Sequence, residues 1–149
     1  VYHLRPAEAD DFTALFEIHR AAMFELVDRV WGWDEADQEE RFRDYLEDAD
    51  LQVIDVEGQV AGFVHIVTRQ DEIRISNIEL APAYQSQGIG SDIMQKTLAQ
   101  ARELGVPVTL RVLKVNPEAR ALYDRLGFVH VGETPTHDLL RIDPGRPVS

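Results

Sequence analysis

Two stretches combine residue types and spacings that can do chemistry. The first is Pro82-Ala-Tyr-Gln85-Ser86-Gln87-Gly88-Ile89-Gly90-Ser91, placed between a β-branched run and a stretch of helical periodicity. A helix start leaves amides without intrahelical partners, and the peptide dipoles there favour an anion. Gly88 and Gly90 have no Cβ, so a ligand can come close to the main chain and a positive φ costs little. The usual anion motifs do not fit. No P-loop lysine follows, and the position where a dinucleotide fingerprint needs its third glycine holds Ile93. A tight entry into a packed helix would call for the same glycines, so the motif alone leaves both readings open.

The second stretch is Asn116-Pro117, with Tyr123 about two helical turns on and Gly127-Phe128 behind it. A phenol on the same side of a helix as its cap can give a proton to a leaving group, although helical tyrosines more often pack at a core rim. Glu79, just before the glycine turn, is the candidate base. Side chains alternate along a strand, so Asn77 and Glu79 share one face and Ile78 and Leu80 the other. Which face meets a substrate is open, as is a carboxylate satisfied by a neighbour or a proton leaving through water. Trp31, Trp33 and Asp34 offer indole faces and an anion for an ammonium, or else two buried tryptophans with Asp34 capping a helix. His19 on an apolar helix face and His137 near the last strands are further acceptor-site candidates, with a satisfied core histidine as the alternative for His19. The five histidines show no metal-ligand spacing, so no metal is expected.

The elements that must position these groups follow from periodicity. Tyr2–Arg5 reads as a strand stopped by Pro6. Phe12, Leu15, Phe16, His19, Ala22, Met23, Leu26, Val27 and Val30 keep a helical rhythm, and a second, more polar helix covers Asp34–Asp48. Two β-branched runs meet at Glu57-Gly58 as a hairpin. A strand over 72–81 leads into the glycine turn, and Ile93, Met94, Leu98, Ala101 and Leu104 mark the helix after it. A strand at 106–115, a helix capped by Asn116 and stopped by Gly127, and two short strands complete the order β-α-α-β-β-β-α-β-α-β-β. A hairpin followed by strands separated by single helices predicts an α/β chain with a mixed sheet, antiparallel early and parallel at the crossover. Residues 1–149 read as a single domain with 143–149 as a loose tail.

With 27 acidic and 15 basic residues, the net charge of −12 argues against binding nucleic acid through its phosphates and suits a cationic partner or a plainly solvated surface. No run approaches the ~20 apolar residues that cross a bilayer, so no membrane partner is expected. With no secretory leader and no cysteine, a cytoplasmic location is expected; the first residue, valine, suggests a native start slightly upstream.

Taken together, IELAPAYQSQGIGSDIM and LRVLKVNPEARALYDRLGF resemble the GNAT (general N-acetyltransferase) superfamily over roughly residues 50–130. Gln85, Gly88 and Gly90 match its Q/R-x-x-G-x-G/A signature and Asn116 to Phe128 its second motif. The resemblance implies acetyl-CoA as co-substrate and transfer of acetyl to a primary amine of a small molecule, an amino-acid-like molecule or a peptide. It implies that Ile78, Glu79 and Leu80 lie along the pantetheine arm and that Gln85, Ser86, Gln87, Gly88, Ile89, Gly90 and Ser91 cradle the pyrophosphate. Asn116 would orient the pantetheine or thioester region and Tyr123 would protonate the departing thiolate. Relatives often carry a basic residue in the turn; here Gln85 and Gln87 are neutral, which leaves amides, the helix dipole and Arg120 or Arg125 to balance charge. Some relatives place a glutamate where Arg111 stands. Direct attack in a ternary complex is expected, since no cysteine can carry the acetyl. The alternative is a non-catalytic acyl-CoA-binding sensor, and the terminal strands suggest a homodimer.

Overall fold

The computed structural model describes Val1–Gly145, so 146–149 of the expected tail lie outside the described residues, and Asp143 to Gly145 carry no regular structure. The strands are β1 (His3–Pro6), β2 (Leu51–Val56), β3 (Gln59–Thr68), β4 (Ile73–Leu80), β5 (Val108–Leu113), β6 (Val129–Glu133) and β7 (His137–Ile142). The helices are α1 (Phe12–Val30), α2 (Glu35–Leu46), α3 (Ile89–Leu104) and α4 (Pro117–Leu126). Their order is the one periodicity predicts. They form one mixed seven-stranded sheet in the order β1-β2-β3-β4-β5-β7-β6. The described chain divides into two compact units, one of Val1–Ile66 with Asn77–Gly90, the other of Val67–Ser76 with the chain from Ser91 on.

In the first unit α1 buries Leu15, Phe16 and Ile18 with Phe42 of α2 and Leu51, Val53 and Phe63 of the hairpin. Ile18 joins this core while Ala22 is exposed, a small rotation from the stripe expected. The hairpin turns on Glu57 and Gly58, both at positive φ (52° and 85°), the geometry whose twist suits a two-residue loop. Asp55 Oδ1 accepts the Gly58 N–H at 2.8 Å and secures it.

In the second unit the first residues of β4 run parallel to β5, from Ile73 opposite Val108 to Ile75 opposite Leu110. β5 pairs antiparallel with β7 and β7 with β6, which leaves β6 at the sheet edge with Val129 and Val131 each 57% exposed. α4 starts with Pro117 in its first turn and the Asn116 Oδ1 accepting the Ala119 N–H at 3.2 Å. It stops at Gly127, whose φ of 101° ends helical bonding, and the Phe128 N–H returns to the Tyr123 carbonyl at 3.0 Å.

Candidate active site

β4 reaches the glycine turn through a 3-10 turn, Pro82–Tyr84. Ser86 (φ 63°) and Gly88 (φ 84°) are both left-handed, whereas Gly90 is already helical. An added Cβ at Gly88 would meet nothing within 4 Å, so backbone geometry and not crowding selects glycine there. The amides of Ser86, Gln87 and Gly88 have no partner among the described residues. The two glutamines brace the turn from within: Gln85 Nε2 donates to the Leu80 carbonyl at 2.9 Å and Gln87 Nε2 to the Ala83 carbonyl at 2.8 Å. Their side chains therefore hold the loop open while its amides stay free. Ser86 and Ser91 are exposed and Ile89 is buried.

The parity left open for β4 is resolved inside the first unit. Asn77 Nδ2 donates to the Tyr45 hydroxyl at 3.3 Å, and Glu79, 7% exposed, lies with Oε1 and Oε2 at 3.2 and 3.3 Å from His19 Nδ1. This face is therefore the one covered by α1 and α2. Ile78 and Leu80 are half-buried. Burial pushes the Glu79 carboxyl above its ordinary range, and the contact with His19 only partly opposes it. The His19 ring stacks on Phe42 at 5.2 Å and lies within 6.4 Å of Phe16, Trp33 and Phe63.

β4 sits where it does because of a glycine that sequence reasoning passed over. A Cβ on Gly62 of β3 would collide with the Glu79 carbonyl, and the Ala81 N–H continues the contact to the Ala61 carbonyl at 2.8 Å. An isolated glycine within a β-branched run is the signal for such close backbone approach.

The tryptophans divide. Trp31 is 58% exposed, which corrects its reading as a buried residue, because Gly32 at φ 80° turns the chain just after it. Trp33 packs against the core, its Nε1 donating to Glu35 Oε1 at 3.3 Å. Asp34 is the α2 cap, accepting the Asp37 N–H at 3.0 Å.

In the second unit, burial pushes the Tyr123 phenol up, and its ring meets Phe128 edge-on at 5.8 Å. Arg120 is not free to balance a ligand. Its guanidinium holds Asp124 at 3.0 Å and Asp138 at 2.9 Å, which corrects one of the two counter-charges expected. Arg125 is exposed and has no ion-pair partner among the described residues. His137, held down by burial and by Arg111, has Nδ1 at 2.8 Å from the Thr136 hydroxyl. Tertiary structure also gathers Asp48, Asp50 and His65, and separately His130, Glu133 and Asp138, groups that no sequence spacing announces. A contact inside each accounts for the closeness: His65 Nε2 lies 3.0 Å from Asp48 Oδ2 but off the hydrogen-bond axis, and His130 lies 3.4 Å from Asp138.

A family model described as the acetyltransferase (GNAT) family matches residues 12–128. The chain belongs to the GNAT family of N-acetyltransferases. It is 33% identical over 124 residues to the ribosomal protein bS18-alanine N-acetyltransferase of Haemophilus influenzae, covering 83% of this chain and 79% of that one. It is 36% identical over 86 residues to a 5-NmdU N-acetyltransferase of Pseudomonas phage PaMx11, covering 56% of this chain and 60% of that one. Among solved structures, the PaiA N-acetyltransferase of Thermoplasma acidophilum in complex with coenzyme A superposes with a TM-score of 0.71 at 14% identity, covering 96% of this chain and 99% of that one. The matched segment contains every site residue expected from the sequence except His137. Among the described residues no helix is long and apolar enough to cross a membrane.

Proposed function

We propose that this GNAT chain transfers acetyl from acetyl-CoA to a primary amine by direct attack within a ternary complex, as a cytoplasmic enzyme. The observation that carries the reading is the buried Glu79, paired with His19, on the strand that runs directly into an open anion cradle. A carboxyl raised by burial beside a titratable partner is what moving a proton near neutral pH calls for.

The turn fits a pyrophosphate. Its amides from Ser86 to Gly88 are unengaged, the first turn of α3 adds more, and no Cβ at Gly88 fills the cradle. Acetyl-CoA would supply an activated thioester there. On the second unit we assign Asn116 to the thioester region through the Nδ2 that its cap leaves over, and Tyr123 to the departing sulfur. Even an ordinary phenol near 10 giving its proton outright to a thiolate near 8.5 is uphill by about 2 kcal/mol, and burial of Tyr123 adds to that. Tyr123 therefore acts as a hydrogen-bond donor to the developing charge.

For the acceptor we favour the α-amine of a basic peptide. An α-amino group titrates near 8 and a lysine near 10.4, so deprotonating a lysine at neutral pH costs about 3 kcal/mol more, beyond what a weak base comfortably supplies. The net charge of −12 attracts a cationic chain, and the relative named for alanine acetylation of a ribosomal protein points to the same class. Release of free CoA thiol is to be measured with acetyl-CoA against basic peptides bearing a free or blocked α-amine, lysine side chains, small amines and aminated nucleosides. Release that depends on the free α-amine supports the reading. Acetyl-CoA binding without release across the panel turns the chain into a sensor instead.

A further inference from the structure

We propose that His19 Nε2, rather than the Glu79 carboxylate, takes the proton from the acceptor ammonium, with Glu79 holding the ring from behind. The inference rests on the acetyl-transfer reading above and names the atom that does its proton chemistry.

Geometry separates the two groups. Both carboxylate oxygens of Glu79 lie against one ring nitrogen, Nδ1, at 3.2 and 3.3 Å. A carboxylate in that position accepts the Nδ1 proton and so leaves the Nε2 lone pair unprotonated. Nε2 has no hydrogen-bond partner among the described residues. The Glu79 side chain is 6% exposed and that of His19 16%, so the ring is the more accessible end of the pair. Phe42 stacked at 5.2 Å, with Phe16, Trp33 and Phe63 around it, limits the tilt of the imidazole. A base, an orienting acid and a rigid wall are the components of a His–carboxylate dyad.

The elements packed around the pair bring no further charged group against it. On α2 the Tyr45 phenol is pushed up by burial and stays neutral. On β3, His65 lies across the Tyr45 ring and beside Asp48. On α1, Arg20 is held by Glu35 at 3.0 Å. On β4, Asn77 is neutral and bonded to Tyr45. No permanent cation among these touches Glu79.

The proton step balances simply. R–NH3⁺ gives one proton to Nε2, and the freed lone pair forms the C–N bond to the thioester carbonyl carbon as the C–S bond breaks. The second N–H proton compensates the one that the sulfur takes up. The imidazolium returns its proton to water, so one proton is released per turnover.

Two measurements test the assignment. In the ligand-free, ¹⁵N-labelled protein, long-range imidazole spectra should show neutral His19 as the Nδ1–H tautomer, and Glu79→Leu should shift it toward Nε2–H. His19→Ala should lose about a hundredfold in kcat, and added imidazoles should restore rate with a dependence on their basicity that a packing role does not produce. An Nε2–H tautomer in the wild type, or His19→Ala with wild-type kcat, overturns the dyad. A wild-type protein that releases no CoA with any acceptor overturns the acetyl-transfer reading and the catalytic role with it, while the tautomer still reports the pairing.

Discussion

Two carboxylate clusters in the first unit both have little exposed surface, and their carboxyls shift in opposite directions. The side chains of Asp11 and Asp55 are 10% and 9% exposed and that of Glu79 6%, yet Asp11 and Asp55 are held below the usual carboxylate range and Glu79 above it. What differs is depth as well as the partner: Glu79 lies far deeper, so desolvation leads its shift, whereas hydrogen bonds lead for Asp11 and Asp55. Arg5 places a two-pronged fork on Asp11, with both N–O distances 2.9 Å, and reaches Asp55 at 3.3 Å, while the amides of Glu8 and Gly58 add donors. Glu79 has one histidine. The Arg5 fork on Asp11 and the Gly58 amide on Asp55 outweigh desolvation and make a staple, whereas one histidine contact does not outweigh the deep burial of Glu79.

Breaking the second cluster should have the largest effect. Glu79→Leu is expected to cut kcat by up to the hundredfold of His19→Ala, because the ring loses its tautomer, without lowering stability. The sign follows from the raised carboxyl. Its contribution to stability is complete below the unfolded value near 4.3 and is lost as pH rises through the folded one. The variant should therefore match the wild type in Tm below about pH 4 and exceed it above that window; thermal melts across pH read this directly. A variant less stable than wild type at pH 7 would show that the pair is a staple after all.

Breaking the first cluster should do the reverse. Arg5→Leu takes the guanidinium from two acids and should lower stability at neutral pH by urea unfolding, with kcat per folded molecule unchanged. Because Asp11 and Asp55 are held low, the wild-type advantage is present above about pH 4 and fades as pH falls through their folded values.

The second unit sharpens the contrast at lower cost. Tyr123→Phe should lower kcat about tenfold with the acetyl-CoA Kd unchanged, the effect of one lost hydrogen bond to developing charge. Unchanged kcat under single-turnover conditions removes that role. Smallest is Asn116→Ala, worth about 1 kcal/mol of stability as a lost cap. Asn116→Asp should restore the melt; if Nδ2 also serves the ligand, it should leave the weakened acetyl-CoA Kd unrestored.

Much of this was legible before any coordinates. The Asn116 cap, Pro117 and Gly127 delimited α4, Glu57-Gly58 announced the hairpin, and Gln85-x-x-Gly88-x-Gly90 marked the strand-to-helix turn. Gly62 and Ile18 were passed over, since a lone glycine in a strand and one more apolar residue on a helix show their importance only against a neighbour. That Arg120 is already engaged is not legible, because its second acid, Asp138, lies on another element.

The sequence by itself determined the element order, the caps, the turns and the fact that Asn77 and Glu79 share a face, all consequences of dihedral preferences and orphan amides acting within a few residues. Only the tertiary structure decided which face that is. His19 and Glu79 are 60 residues apart, and they meet because close packing of β3 on β4 at Gly62 and the aromatic core beneath α1 and α2 bring them together. The pKa of a carboxyl depends on that enclosure and on the partner enclosed with it, quantities that exist only once the chain has packed.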